Sequence, residues 1–488
     1  MALFRGEDNV KALDGREMPL MKVISETLRY IADKAIEKLK DQLGEEIVKK
    51  EKLRWVLTVP ALWSEKMKMF MRKAAVEAGI VKSWNSDKLW LCLEPEGASI
   101  QCREDIEEDE LREKMTKGSI ILVLDCGGGT VDITVSKLKC SPNEAFLSEE
   151  VLPSSGGCEW GSKYVDINFE KFLKVFFDPP IFDYYTKNAS SRFEILQHFE
   201  LLKKKFIPDS SSGYRLQLSY LSECLNTKKL RELTEIYNKK VDKKYQVQLK
   251  GSSCIYLSKD LMLSFFKPLV EKIQSKVQEL LDLTKKKEGY SAKFIFMVGG
   301  FSESPYLKNE IKKKFQNQET TVLIPKRPLI SVIRGACMFG LNPRIITSRI
   351  AKKTYGINTL TVFDPNRHPE KKKVIIEGEE FCEDVFDVFV KKNQSVRVDE
   401  LINKIYCPVR ARQSIMRIII YCTDSTEVEF VDEPGVSKLG ELSIDLGKAI
   451  QGDKTVTVTM RFGATSIMVT VTNKKGEARN CEFKFDSK

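Results

Sequence analysis

Residues 121–135 read ILVLDCGGGTVDITV. Two runs of aliphatic and β-branched residues, the composition of paired strands, flank three glycines set between Asp125 and Thr130. Glycine has no side chain to pack and loses the most backbone entropy on ordering, so three in succession weaken a strand. A chain accepts that cost where it turns tightly or where a ligand must lie against the backbone. Alone, the stretch supports only a tight hairpin with an incidental aspartate, because one glycine loop is a weak signal.

A second turn of the same kind stands far downstream. FIFMVGGFSESPYLKNEIKKKF is an apolar strand, a Gly-Gly turn, a polar cap and a helix. Glycines at such turns let backbone amides converge on a phosphate. Asp125, at its strand end, is suited to hold the hydration shell of Mg²⁺, and Thr130 to offer a hydroxyl to a phosphate oxygen. The sequence contains no G-x-x-x-x-G-K-[ST], which excludes a P-loop.

Around these turns the pattern is helical and mixed, then all-β. Residues 20–43 place Ile24, Leu28, Ile31, Ala35 and Leu39 at three- and four-residue spacings, predicting an amphipathic helix. WVLTVPALW (55–63) predicts a strand ended by Pro60, with Ser64 capping a helix that stops near Gly79. KLWLCLEPEGASIQC predicts a strand, a turn and a helix, and the charged stretch 103–118 an exposed connection. Residues 160–206 read as mostly helical, 207–255 as lysine-rich and less regular, and 257–285 as a long helix capped by Ser258. VIRGACMFGLNPRII predicts an apolar helix ending near Gly340. Beyond residue 350, stretches such as YGINTLTVF, DVFDVFVKK, SIMRIIIYC and KTVTVTMRF predict an all-β domain.

Composition narrows the class. A chain of 488 residues exceeds one ordinary core, and 42% hydrophobic with 31% charged residues is a folded, water-soluble balance. No apolar run approaches the roughly 18–20 residues that cross a bilayer, and MALFRGEDNVKALDGRE lacks the apolar core of a secretory signal. Twelve cysteines without a C-x-x-C pair, and only two histidines, argue against a disulfide framework or zinc site and predict reduced thiols in the cytoplasm. The net charge of +11 sits in short mixed lysine runs, which read as solvated helix faces rather than a nucleic-acid surface.

The ordered set TVPALWSEKMKMFMRKAAVEAGI, LEPEGASI, LVLDCGGGTVDITV, FMVGGFSESPYLKNEI and VIRGACMFGL resembles the actin and seventy-kilodalton heat-shock chaperone superfamily. Within it the chain is similar to the divergent twelve-type members, with support from GGCEWGSKYVD, CMFGLNPRII and VDEPGVSKLGELSID. The likeness runs from about residue 18 to the end. It implies an α/β fold: an actin-like ATPase (ribonuclease H-like), two-lobed nucleotide-binding domain followed by a β-rich domain. Residues 1–118 would be the remainder of lobe one and 119–330 lobe two. Residues 331–350 would return a helix to lobe one, and 351–488 would be a β-rich, substrate-binding-like domain without a helical lid. The implied ligands are ATP or ADP with Mg²⁺, and the implied partners are extended peptide segments or client proteins.

Carried over position by position, the resemblance implies that Asp125 organises Mg²⁺ through water. Gly127, Gly128 and Gly129 would receive phosphate on their amides, and Thr130 would contact a terminal phosphate. Glu94 would orient water or metal at the γ-phosphate. Gly156 and Gly157 fall where the family approaches ribose, Gly299, Gly300 and Ser302 border base and sugar, and Glu200 with Lys203 flank adenosine. Each has a bland alternative: Glu94 before proline is also a turn carboxylate, and Lys203 a solvated lysine.

The departures matter equally. The family's first phosphate hairpin, Asp-x-Gly-Thr, and the lysine that assists phosphoryl transfer have no counterpart after MALFRGED, and Lys22 and Lys34 fit a surface helix instead. Met1 is then either internal to a longer chain or the start of a genuine short form; the retained glycines favour truncation or an alternative start. Phosphoryl transfer needs charge stabilisation from several directions, so hydrolysis is expected to be weak or lost. Leu329 and Ile330 replace the family's acidic pair, SRIAKKTYGIN replaces its linker, and KFDSK ends the chain without a lid. The alternatives are a non-catalytic pseudo-ATPase that scaffolds partners and, on the same fold, a small-molecule kinase.

Overall fold

The computed structural model describes all residues except 1–2, 4–5, 13–14, 50–51, 107, 143, 158, 209–212, 399, 411, 448–453, 463–464 and 482–488. The terminal KFDSK and part of MALFRGED therefore lie outside the described residues.

Strands β1 (Asn9–Lys11) and β2 (Glu17–Pro19) form a short hairpin ahead of helix α1 (Leu20–Leu43). Helix α1 packs through Leu20, Ile24, Leu28 and Ala32, while Ile31 is 58% exposed, so the buried row lies one residue round from the predicted one. Lys22 and Lys34 lie exposed on this helix. Strands β3 (Trp55–Val59) and β4 (Leu89–Leu93) pair in parallel and are joined by α2 (Glu65–Glu77). The Ser64 hydroxyl accepts from the Met67 amide, the predicted cap. Strand β4 runs straight into α3 (Glu94–Glu104), followed by the short α4 (Asp109–Glu113).

The stretch 103–118 is not simply an exposed connection. Arg103 is 1% exposed and Met115 fully buried, and the Arg103 guanidinium donates to the carbonyls of Ser141, Pro142 and Glu144. A charged group can be buried when acceptors surround it, and a local charge count does not reveal acceptors supplied forty residues away.

Strands β5 (Ile120–Cys126), β6 (Val131–Leu138) and β7 (Ser148–Gly157) form an antiparallel meander. Helices α5 (Lys163–Phe176), α6 (Pro179–Lys187) and α7 (Ala189–Lys205) follow. A three-stranded sheet of β8 (Tyr214–Gln217), β9 (Gln248–Lys250) and β10 (Cys254–Leu257) comes next. Its first two strands enclose α8 (Thr227–Lys240), so the region read as less regular holds a fourteen-residue helix. The chain continues through α9 (Lys259–Glu288), capped by Ser258 as predicted, and β11 (Phe294–Val298). After α10 (Pro305–Phe315) and β12 (Thr321–Leu323) come α11 (Pro328–Leu341) and β13 (Ile346–Ile350).

The remaining strands are β14 (Thr354–Val362), β15 (Lys373–Ile376), β16 (Glu379–Val390), β17 (Ser395–Arg397) and β18 (Leu401–Tyr406). They continue with β19 (Ile415–Thr423), β20 (Ser437–Asp445), β21 (Val456–Arg461), β22 (Met468–Asn473) and β23 (Ala478–Asn480). A five-stranded sheet, β15-β16-β14-β19-β20, packs on a four-stranded one, β18-β21-β22-β23. Alternate residues fill the space between them: Ile418, Ile420 and Cys422 against Val456, Val458, Met460 and Val471. Two features cross segments. Met69 of α2 belongs to the core of this sandwich, and β17 leaves it to pair with β13.

Strand β13 with β17 closes one side of a seven-stranded sheet ordered β12-β11-β5-β6-β7-β13-β17. Strands β5 and β11 are buried along their whole length, which is why both read as continuous apolar runs. Leu122, Leu124 and Cys126 face the core built by α5 and α9. Ile121 and Val123, with Phe294, Phe296 and Val298, face α3 and α11. Strand alternation then assigns Asp125 to the α3–α11 side.

Helices α3 and α11 cross there with no room for side chains. A Cβ on Gly335 would stand 1.7 Å from the Gly97 carbonyl oxygen, and one on Gly97 would stand 2.7 Å from the Val332 carbonyl oxygen. Gly335→Ala is therefore expected to destabilise the protein by about 1–3 kcal/mol, the usual cost of overpacking, measured by chemical denaturation. An unchanged denaturation midpoint would refute this crossing.

Candidate functional site

The hairpin β5–β6 pairs Cys126 with Val131 and Asp125 with Asp132, and the Gly127 amide closes the turn on the Thr130 carbonyl at 3.0 Å. Directly opposed residues share a face, so Asp125 and Asp132 stand side by side. Glu94, first residue of α3, is the third acid of the group: it feels the charges of Asp125 and Asp132. Glu94 is pushed up to about 8, first by burial, then by Asp125 and Asp132. Asp125 is pushed up to about 7 by burial and the neighbouring Asp132. Asp132 is raised by burial but held back by the Leu62 amide, which donates to Oδ1 at 3.0 Å, and by the Thr130 hydroxyl. Asp125 and Asp132 are buried, and the half-buried Glu94 lies near enough to feel both charges, a grouping that favours a proton on the acids or a cation nearby.

The glycines each have a geometric reason. Gly128 is exposed at the turn tip with open space where a Cβ would be. The carbonyls of Gly127 and Gly128 accept from the amides of Ser162 and Lys163 at 3.1 and 2.9 Å, which fixes the turn against the start of α5. No described residue accepts the amides of Gly128 and Gly129. Gly156, at φ 146°, lies opposite Asp132, and a Cβ there would sit 2.0 Å from the Val131 carbonyl oxygen. Gly157 packs under the Trp160 ring.

The second glycine turn arrives at the same place because β11 pairs in parallel with β5, Val298 beside Asp125. Gly299 has φ 81°, and a Cβ on it would stand 2.4 Å from Asp125 Oδ1. Ser302 is fully buried and donates to the Val298 carbonyl at 2.6 Å, so its hydroxyl shapes this turn. Gly300 lines a separate cavity of about 170 Å³ with Ser162, Glu200, Lys203, Lys204, Phe301 and Ser304. Within it the buried Lys203 ammonium is 2.8 Å from Asp166 and 2.5 Å from Glu200.

The structure thus gathers Glu94, Asp125, the 127–130 turn, Gly156 and Gly299 at one end of the sheet, and sets Gly300, Glu200 and Lys203 along an adjoining cavity. Asp132 is the functional candidate to which the sequence reading assigned no role. Its signal was legible, since an acid on each side of a closed turn, DCGGGTVD, must face its fellow across the hairpin.

No family model matches the chain. Heat shock 70 kDa protein 12A of Homo sapiens is 30% identical over 515 residues, covering 95% of this chain and 75% of that protein. Heat shock 70 kDa protein 12B of Homo sapiens is 29% identical over 528 residues, covering 94% and 74%. Chaperone protein DnaK of Thermoplasma volcanium is 23% identical over 310 residues, covering 62% and 43%. These relationships, with the mixed α/β sheets, define the class as an actin-like ATPase fold. Within that class the chain belongs to the heat shock 70 kDa protein family, and it is similar to the twelve-type members.

The acids predict a pH dependence with a definite sign. The folded state holds protons on Glu94 and Asp125 up to about pH 8 and 7, whereas the unfolded chain releases them near 4.5 and 3.8. Their contribution to stability is thus complete at low pH and is lost as pH rises from about 4 to about 8. In metal-free buffer, Glu94→Gln and Asp125→Asn should melt above the unsubstituted protein at pH 8 and converge with it near pH 4. Parallel melting curves across that range would sink the assignment.

Proposed function

We propose that the chain binds ATP or ADP with Mg²⁺ in the cleft formed by the 127–130 turn, Gly299 and the three carboxylates. The convergence of both glycine turns on Asp125 supports this reading above all, because neither turn alone required a ligand. The relatives are heat shock 70 kDa and DnaK proteins, the class for which a nucleotide is the implied ligand. The donor set fits: buried acids with raised pKa values favour a nearby cation, and the free amides of Gly128 and Gly129 suit phosphate oxygens. Among the described residues no cluster of three or more His, Cys, Asp and Glu side chains could ligate a metal directly. Asp125 would accordingly hold Mg²⁺ through its water.

When bound, the metal supplies charge neutralisation at the phosphates. Asp125 and Asp132 would hold the water around it, the turn amides and Thr130 would receive the phosphates, and Glu94 would lie toward the terminal phosphate. Gly156 and Gly157 would border the ribose, and Glu200 and Lys203, beside Gly300, would border the adenosine. A specific observation favours the non-catalytic variant of this reading. Burial beside Asp125 and Asp132 pushes Glu94 up to about 8, which disfavours the carboxylate form that would accept a proton from an attacking water. Hydrolysis is slow or lost in this form.

The sandwich offers a partner site. An open cavity of about 920 Å³ lies between β14, β16 and β18, with Leu360, Val362, Phe386 and Ile405 among its apolar walls. It suits an extended client peptide with aliphatic side chains. The described cysteines are free thiols, which fits a cytoplasmic setting, and no helix among the described residues is long and apolar enough to cross a membrane.

Titration calorimetry with Mg-ATP and Mg-ADP tests the cleft. Binding is expected for the unsubstituted protein, weakened at least about tenfold by Asp125→Asn, the loss of one charge-assisted interaction. No heat at millimolar nucleotide would refute the reading. Ile405→Glu should lower the capture of an extended aliphatic peptide without changing nucleotide affinity, as followed by fluorescence anisotropy.

A further inference from the structure

The connection between β19 and β20, residues 424–436, opens with five acids in ten positions, Asp424, Glu427, Glu429, Asp432 and Glu433, and no base. It lies as a strap along β16. Strand β15 pairs with β16 over Glu379–Cys382, and the strap takes the next stretch. There the Phe386 amide donates to the Glu429 carbonyl at 2.7 Å, and the Val431 amide to the Asp384 carbonyl at 2.8 Å. The two bonds bracket an antiparallel bridge between Val385 and Phe430. Phe430 drops into an apolar pocket made with Phe363, Cys382 and Val385, and the Lys372 ammonium stands 5.5 Å from its ring centre. An extended segment held by backbone bonds, with one aromatic in a pocket, is how a strand-adding peptide ligand sits.

The strap is held by charge more than by burial. Phe430 and Val431 are its buried residues, whereas the Glu427 and Asp432 side chains are 85% and 57% exposed. Its acids meet a collar of cations on the sandwich. Asp424 lies 3.0 Å from Lys353 and 3.3 Å from Lys392, and Glu427 lies 3.2 Å from Lys391. Glu429 lies 3.4 Å from Arg367, and Asp432 2.6 Å from Lys372. Exposed pairs of this kind contribute little individually and weaken as salt is added. The groove also has a fixed part of its own. Asp384 holds Lys372 at 2.9 Å and has φ 60°, a left-handed backbone of the kind that clusters at ligand clamps.

We propose that residues 384–386 of β16, with the Phe430 pocket and its collar of cations, form a second peptide-binding groove whose tethered occupant is the strap. The ligand it takes is an extended peptide with one aromatic residue between acids, the chemistry of Glu429-Phe430-Val431-Asp432. Tethering supplies the strap at high effective concentration, so a peptide in solution enters only as the strap leaves. The groove is separate from the aliphatic cavity but shares a wall with it, because Arg367, Val385 and Phe386 also line that cavity. It is independent of the nucleotide reading.

The test is fluorescence anisotropy on the full chain with a labelled peptide of residues 424–434, DSTEVEFVDEP. Two variants loosen the tethered strap and leave the groove as it is: Phe430→Ser, and the triple reversal Glu427→Lys, Glu429→Lys, Asp432→Lys. Each should bind the peptide at least about tenfold more tightly than the unsubstituted protein, as expected when an intramolecular competitor is removed. Adding Lys372→Met to either should undo the gain, and a peptide carrying Phe430→Ser should not bind. Should neither variant fold, hydrogen exchange on the unsubstituted protein decides. In excess peptide the chain's own Val431 amide should lose protection while the Phe386 amide keeps it, because the peptide takes the strap's place. Folded variants that bind the peptide no better than the unsubstituted protein overturn the proposal. So does a Val431 amide whose exchange the peptide leaves unchanged.

Discussion

Backbone pairing of β5 with β6 on one side and β11 on the other is the interaction on which the rest of the structure depends. It brings two glycine turns, about 170 positions apart in the chain, to one end of a sheet. The approach is so close that only glycine fits at 299, beside the Asp125 carboxylate. It also gives the sheet two covered faces, one under α5 and α9 and the other under α3 and α11. The second face matters for chemistry, because α3 begins with Glu94 and crosses α11 through a glycine contact that allows no drift.

The cleft runs against the rule that like charges should not face each other across strands. Asp125 opposes Asp132 directly, and Glu94 adds a third acid where water is largely excluded. Sites that break a local rule while the surrounding fold obeys the rules are where function is to be sought.

Much of the fold was legible in short stretches. The ILVLDCGGGTVDITV hairpin, the caps at Ser64 and Ser258, and the alternating strands beyond residue 350 all depend on residues within a few positions of one another. Where the reading departed, the cause came from elsewhere in the chain. Arg103 is buried because carbonyls of residues 141–144 surround it. Ile31 is exposed because β3 and α2 select the Ile24–Leu28–Ala32 row of a helix apolar on more than one side. β17 leaves the sandwich because β13 offers it an open edge. Among the site residues, the glycines and Asp125 were visible as a motif. The Glu200–Lys203 pair was legible as neighbours one turn apart, whereas the bond from Lys203 to Asp166 required two helices to pack.

By itself the sequence determined where the chain turns, which residues start helices, which segments can be buried strands, and through its ordered motifs the ancestry of the chain. These follow from conformational preferences that act over one to four residues. Only the tertiary structure decided that Glu94 comes near the Asp125–Asp132 pair, that Gly299 abuts Asp125, and that Arg349 reaches Glu96. Those contacts span up to 253 positions. Their geometry is set by strand register and by which helix faces pack, and no local preference encodes either.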